Sequence, residues 1–185
     1  GALKKVDELV RAGATVIGPK PLRAVSLEGG ADGRRLFQEL SDGLWGGAES
    51  LKGSRKVGTG RVAWGMAARE FLHADGIAPD VALTFQDGSN IAGIDWIHYR
   101  IGNAEVYFLA ELGGTARSVN ATFRIAGRIP EFWNAVNGSV RDANTYQFVD
   151  GRTRVPLEFD SYGSLFVVFR KESNTGRIAG PNFPT

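Results

Sequence analysis

There is no cysteine in this chain. Disulfides and thiolate metal sites are therefore excluded, while the redox compartment stays open, because cytoplasmic and exported proteins can both lack cysteine. Histidine is scarce: His73 and His98 stand far apart, and neither HxxxH nor HExxH spacing occurs. A histidine-based metal site is not expected, and no cofactor is assigned. An excess of one charge is also missing, since 22 basic residues face 20 acidic ones for a net charge of +2. No basic cluster exceeds the short Leu51–Lys56 stretch, which argues against a nucleic-acid partner. No apolar run reaches the length of a membrane span, and no signal-peptide pattern is read. The chain starts Gly1-Ala2 without Met, as a processed or trimmed chain would.

What is present suffices for one large domain or two small ones: 185 residues, 43% of them hydrophobic, with 25 glycines that point to many turns. The chain is organised around Ile94–Arg100, a run of period two, and its continuation Ala104–Ala110. Between them Ile101-Gly102-Asn103 has the chemistry of a tight hairpin. Ile94, Trp96 and His98 share one face of the first run, while Asp95, Ile97 and Tyr99 share the other. Apolar residues on both faces predict a central hairpin inside a packed two-layer sandwich. Further turn signals follow at Gly113-Gly114, Asn137-Gly138 and Asp150-Gly151. With the alternating runs Ser118–Ile125, Arg154–Phe159 and Ser164–Arg170, they predict an antiparallel, jelly-roll-like β-sandwich over 80–171. The tail 172–185 has no periodicity and is expected to lie over the surface.

The first part of the chain reads differently. Leu3, Val6, Leu9 and Val10 recur at helical spacing, and Gly13 stands where a glycine ends a helix. Ala14–Pro19 follows as a short buried strand, then a helix over Arg34–Leu44, one strand over Lys56–Trp64 and a helix over Met66–His73. This alternation predicts a parallel α/β piece. It is too short to cover both faces of a doubly wound sheet, so 1–79 is expected to be a partial, truncated flavodoxin- or Rossmann-like segment. A small complete α+β cap is the alternative. Pro79 marks the boundary, because it discourages helix in Ala78 and donates no backbone bond. The fold class is thus α+β.

Chemistry is harder to find. Glycoside hydrolysis needs two carboxylates facing each other across a cleft. Glu105, Glu111 and Glu131 are available, but their places in alternating strands read as ordinary strand-surface acids, and no catalytic residue is assigned. Gly58-Thr59-Gly60 resembles part of a phosphate loop, yet it precedes a strand rather than a helix. Ser26, Ser41, Ser161 and Ser164 lack a GxSxG context. Aromatic rings remain: Trp96, Tyr99 and Trp133, with His98 and Arg100, are the candidates for carbohydrate contact. The ordinary role of such tryptophans is core filling, and on that reading truncating Trp96 or Trp133 costs on the order of 3–5 kcal/mol. His98 and Arg100 equally read as groups that satisfy a strand edge.

Several runs carry a resemblance: LKKVDELVRAGATVIGPKPLRAVSL (Leu3–Leu27), GTGRVAWG (Gly58–Gly65), WIHYRIGNAEVYFLAEL (Trp96–Leu112), EFWNAVNGSV (Glu131–Val140) and VPLEFDSYGSLFVVFR (Val155–Arg170). In this order they resemble the C-terminal region of large bacterial α-L-rhamnosidase-like glycoside hydrolases. The chain departs from that pattern at Tyr99, Glu111 and Asn134-Ala135. The resemblance implies a catalytic (β/α)8 barrel earlier in the same polypeptide, then an amidotransferase-like or flavodoxin-like α/β segment and β-sandwich domains. It places the catalytic carboxylates on the barrel and none here. This chain is then expected to be a non-catalytic accessory part of a secreted enzyme of polysaccharide breakdown, periplasmic or extracellular. Its partners would be the barrel, possible carbohydrate, and a second copy through an uncovered sheet edge. A stand-alone carbohydrate-binding module and a structural interaction domain without ligand are the alternatives.

Overall fold

Helix α1 (Ala2–Arg11) forms because Leu3, Val6 and Val10 recur on one side, while Lys4, Lys5 and Glu8 face water and Asp7 pairs with Arg11 one turn on. It stops at Gly13, whose φ of +114° suits glycine and whose N–H donates to the Val10 carbonyl. The elements that follow are β1 (Thr15–Ile17), α2 (Gly30–Trp45), β2 (Gly53–Val57), β3 (Gly60–Trp64) and α3 (Ala68–Ala74). This computed structural model describes residues 1–24, 29–47 and 50–183; Ser26 and the end of the Leu3–Leu27 run lie outside them. The described chain divides into two compact units, Gly1–Ala78 and Pro79–Thr185. No described helix is long and apolar enough to cross a membrane.

In the first unit the sheet order is β1-β3-β2, with β1 parallel to β3 and β2 antiparallel to it. Val16, Val57, Val62 and Trp64 pack with Val10 of α1 and with Leu44 and Trp45 of α2. On the opposite face Arg61 lies over the ring of Phe71 in α3 and pairs with Asp75. The single strand expected over Lys56–Trp64 is therefore corrected to a hairpin. Gly58-Thr59 is its turn, with Gly58 at φ +62° and Thr59 Oγ1 donating to the Arg11 carbonyl. Period two runs through both arms of a tight hairpin, which is why the sequence pattern did not show the reversal. Gly60 is packed so closely that an added Cβ would overlap the carbonyl oxygens of Val10 and Ala14. Gly60→Ala is accordingly expected to destabilise the first unit and leave the second unchanged. Domain-resolved hydrogen exchange tests this, and equal protection in variant and wild type would refute it.

The second unit is built of β4 (Val81–Thr84), β5 (Ile94–Ile101), β6 (Ala104–Glu111), β7 (Arg117–Phe123), β8 (Arg128–Trp133), β9 (Val140–Asp142), β10 (Thr145–Val149), β11 (Arg152–Phe159), β12 (Ser164–Glu172) and β13 (Arg177–Ile178). They form two five-stranded antiparallel sheets, β13-β10-β11-β7-β4 and β5-β6-β12-β8-β9. Their inner faces share one core, with Val119, Ala121, Phe123, Val155, Leu157 and Phe159 from the first, and Tyr107, Leu109, Phe132, Leu165, Val167 and Phe169 from the second. The turn at Asp150-Gly151 is the expected two-residue hairpin, both residues at positive φ.

Two features differ from expectation. The hairpin β5–β6 is not central, because β5 is an edge strand and its outward Ile97, Tyr99 and Ile101 are exposed. Apolar residues on both faces look the same in a sequence whether or not a second layer covers them. The tail also joins the sandwich: β13 adds an edge to β10, and Phe183 packs on Phe132 with ring centroids 5.1 Å apart. Buried Asn182 donates to the carbonyls of Thr145 and Pro156 and accepts from the Thr145 N–H. Such pinning depends on long-range partners and leaves no periodic trace.

Candidate functional site

On β6 the alternation sends Glu105, Tyr107, Leu109 and Glu111 inward. Glu105 is 4% exposed, Glu111 1% and Glu131 0%, so the reading of these three as strand-surface acids is corrected. Buried carboxylates must be paired or hydrogen-bonded, and each of these is.

The largest cluster surrounds His98. Its ring bridges two carboxylates, with Nδ1 2.7 Å from Asp80 Oδ2 and Nε2 2.8 Å from Glu105 Oε2. Each ring nitrogen thus lies within hydrogen-bond distance of a different carboxylate, which fixes the orientation of the ring. Arg100 donates from Nε to Glu105 Oε1 at 2.7 Å, and Arg124 from Nε to Asp80 Oδ1 at 2.8 Å. The Tyr107 ring stacks on His98 with centroids 4.0 Å apart. Burial by itself would raise the pKa of Asp80; hydrogen bonds from Arg124 and His98 outweigh it and hold the carboxyl below its ordinary value. Burial likewise opposes ionisation of Glu105, and Arg100 and His98 reverse the sign. Burial, followed by the charges of Asp80 and Glu105, pushes the Tyr107 hydroxyl far above its ordinary value.

Glu111 and Glu131 are held separately. Glu111 accepts from the backbone N–H groups of Gly113, Thr115 and Tyr162, and Arg117 lies 3.1 Å away. Burial opposes its ionisation, and the backbone donors carry its pKa below the ordinary value. Tyr162 is held at φ +58° in that loop, a conformation uncommon for an aromatic residue. Glu131 accepts from Trp133 Nε1 at 3.0 Å and Arg170 Nε at 2.8 Å, with Lys171 Nζ 2.9 Å from its other oxygen. A bulge in β12 between Phe169 and Lys171 brings the consecutive Arg170 and Lys171 to one carboxylate. Here too burial would raise the pKa, and Lys171, Trp133 and Arg170 together lower it.

Of the residues singled out from the sequence, the structure brings together His98 and Arg100. Trp96 points inward and is half-buried against the core, whereas Tyr99 and Trp133 lie on the opposite face of their sheet. The Trp133 ring is covered by the Arg170 guanidinium at 5.2 Å. Asp80 and Arg124 carry no sequence signal, and Glu105 reads there only as a surface acid. Arg100–Glu105 spans the hairpin and could have been inferred from strand pairing, but Asp80 reaches Arg124 across 44 residues and no local pattern announces it. Among the described residues no group of His, Asp and Glu is arranged to hold a metal ion. In these clusters the carboxylates accept from cationic side chains or N–H donors.

Residues 1–148 match glycoside hydrolase family 106, described as α-L-rhamnosidase. The chain belongs to that family. A protein of Formosa agariphila, whose name assigns it provisionally to the β-glucuronidases, is 31% identical over 172 residues, covering 92% of this chain and 13% of its own length. The solved structure of a rhamnosidase from Novosphingobium sp. PP1Y superposes with a TM-score of 0.83 at 33% identity, over 99% of this chain and 17% of that one. The stretch is thus a small fraction of the length of both relatives, and in this α-L-rhamnosidase family it corresponds to part of a larger polypeptide.

Proposed function

We propose that this stretch is a non-catalytic C-terminal accessory part of a rhamnoside-cleaving enzyme that acts in polysaccharide breakdown outside the cytoplasm. The observation that carries the proposal is the state of the carboxylates. A glycosidase needs one carboxylic acid kept protonated near neutral pH, so that it can give a proton to the leaving oxygen, facing a second, ionised carboxylate. Glu105, Glu111 and Glu131 are each surrounded by cations or N–H donors that hold them ionised. They serve as anchors for strands and loops. The small share of the matched rhamnosidase that aligns here supports placing the reaction elsewhere in such a polypeptide. On the same reading the first unit is the back end of a flavodoxin-like α/β segment, supported by its one parallel pair, β1 with β3, and by helices on both faces of its sheet.

The chain by itself is expected to show no turnover of an aryl α-L-rhamnoside. Activity that survives repurification and falls when Glu105, Glu111 or Glu131 is changed to Gln would overturn the accessory role.

A further inference from the structure

The outer face of the β13-β10-β11-β7-β4 sheet holds a small cavity that the accessory role leaves unused. Ser118 of β7 stands opposite Glu158 of β11 and Asn120 opposite Pro156, and alternation turns all four outward. On one side β4 pairs Thr84 with Asn120, and the chain beyond it brings Gln86 to the same cavity. On the other side the ladder between β10 and β11 begins only at Gln147 and Arg154. Asn182 of the tail takes over there, donating to the carbonyls of Thr145 and Pro156 and accepting from the Thr145 N–H. Thr145 Oγ1 also donates to the Gly180 carbonyl at 2.6 Å, so the tail stands as a fixed wall. The cavity bounded in this way measures about 150 Å³. Gln86, Ser118, Pro156 and Glu158 are exposed, so it opens to water.

We propose that this cavity binds one ring of a neutral sugar chain, at a place that none of Trp96, His98, Tyr99, Arg100 and Trp133 lines. The two oxygens of the Glu158 carboxylate can accept from hydroxyls on adjacent carbons, and such charge-assisted bonds are the strong ones. The amides of Asn120 and Gln86 each donate and accept, as does the Ser118 hydroxyl, which is the mixture a polyhydroxylated ring requires. Among the described residues none of these four side chains is engaged by a hydrogen bond within the protein, whereas Asn182 and Thr145 spend theirs on holding the wall. Pro156 adds an apolar patch between them for the C–H groups of the ring. Charge narrows the class of ligand. No described Lys or Arg lines the cavity, so a phosphate, sulfate or uronate would meet Glu158 without a counter-charge. One carboxylate is too few to hold a metal ion, and no described group of acids and histidines is arranged for one. Size narrows it too, because pockets for larger ligands run from roughly 300 to 1,000 Å³, about twice this volume or more. That the occupant is a sugar rather than another neutral polyol rests on the accessory role proposed above.

Titration of the isotope-labelled chain with L-rhamnose, with a neutral rhamnose-containing oligosaccharide and with D-glucuronate, followed by amide NMR, tests this. The neutral sugars are expected to shift the backbone signals of Ser118, Asn120 and Glu158 and the side-chain amides of Asn120 and Gln86, saturating at millimolar concentration as a single ring would. Glucuronate should bind several-fold more weakly. Glu158→Gln should weaken the neutral sugars several-fold and narrow that gap, and Asn120→Ala, a second variant, should weaken them without changing it. Both variants should melt like the wild type, since Glu158 is exposed and Asn120 faces the cavity. Absence of saturable shifts would overturn the site, as would shifts centred on Tyr99 and Trp133 or equal affinity for glucuronate and rhamnose. Those results would leave the accessory role standing, whereas turnover of an aryl rhamnoside by the chain alone would overturn that role and not the binding measured here.

Discussion

Phe123→Ala is expected to remove about 3–5 kcal/mol from the second unit, a large part of the stability of a domain this size. Phe123 is fully buried on β7, where its ring meets the edges of Tyr107 at 4.8 Å and Phe169 at 5.2 Å. These three rings join the two sheets, so the cavity left by truncation cannot collapse without moving a strand. On sequence alone Trp96 and Trp133 carry this expectation. The structure transfers it, since Trp96 is half-buried on an edge strand and Trp133 lies on the outer face, where water fills the space a truncation leaves. Denaturant melts followed by fluorescence should therefore rank Phe123→Ala well below Trp96→Ala and Trp133→Ala. A loss under about 1 kcal/mol for Phe123→Ala would contradict the proposed core.

Acid should unfold the second unit in a steep step, and the buried carboxylates are the reason. Asp80, Glu105, Glu111 and Glu131 all titrate below their ordinary values of 3.8 for Asp and 4.5 for Glu when the protein is folded. A group with a depressed folded pKa binds protons more tightly in the unfolded chain, so falling pH favours unfolding. Its contribution is complete above the ordinary value and is lost as pH falls through the lower, folded one. The transition is expected below pH 4.5, and Glu131→Gln should make it shallower by removing one titrating group. Glu131→Ala should also cost about 1–3 kcal/mol at neutral pH, because the Trp133 N–H loses its partner while half-exposed Arg170 and Lys171 are rescued by water. Near-ultraviolet circular dichroism against pH measures both effects. A Glu131→Gln profile that superposes on the wild type would refute the assignment.

The sequence by itself determined the elements with local signatures. Helix α1 and its glycine stop, the hairpin turns at Gly102 and at Asp150-Gly151, and the alternating inward residues of β7 and β11 follow from period, positive φ and side-chain size. The family resemblance was legible for the same reason, because motifs are contiguous. Tertiary structure decided everything that depends on which strand lies beside which. It placed β5 at an edge, leaving Ile97 and Tyr99 outward with no strand layer of this sandwich against them, and it folded the tail back as β13. It also turned three glutamates from surface acids into buried anchors. An inward-facing Glu105 looks in sequence like any polar strand position; only the approach of His98 and Arg100 across the hairpin makes its burial tolerable, while Asp80, itself paired with Arg124, meets the other side of the His98 ring. Charge balance at those distances is a property of the folded neighbourhood, and no local pattern encodes it.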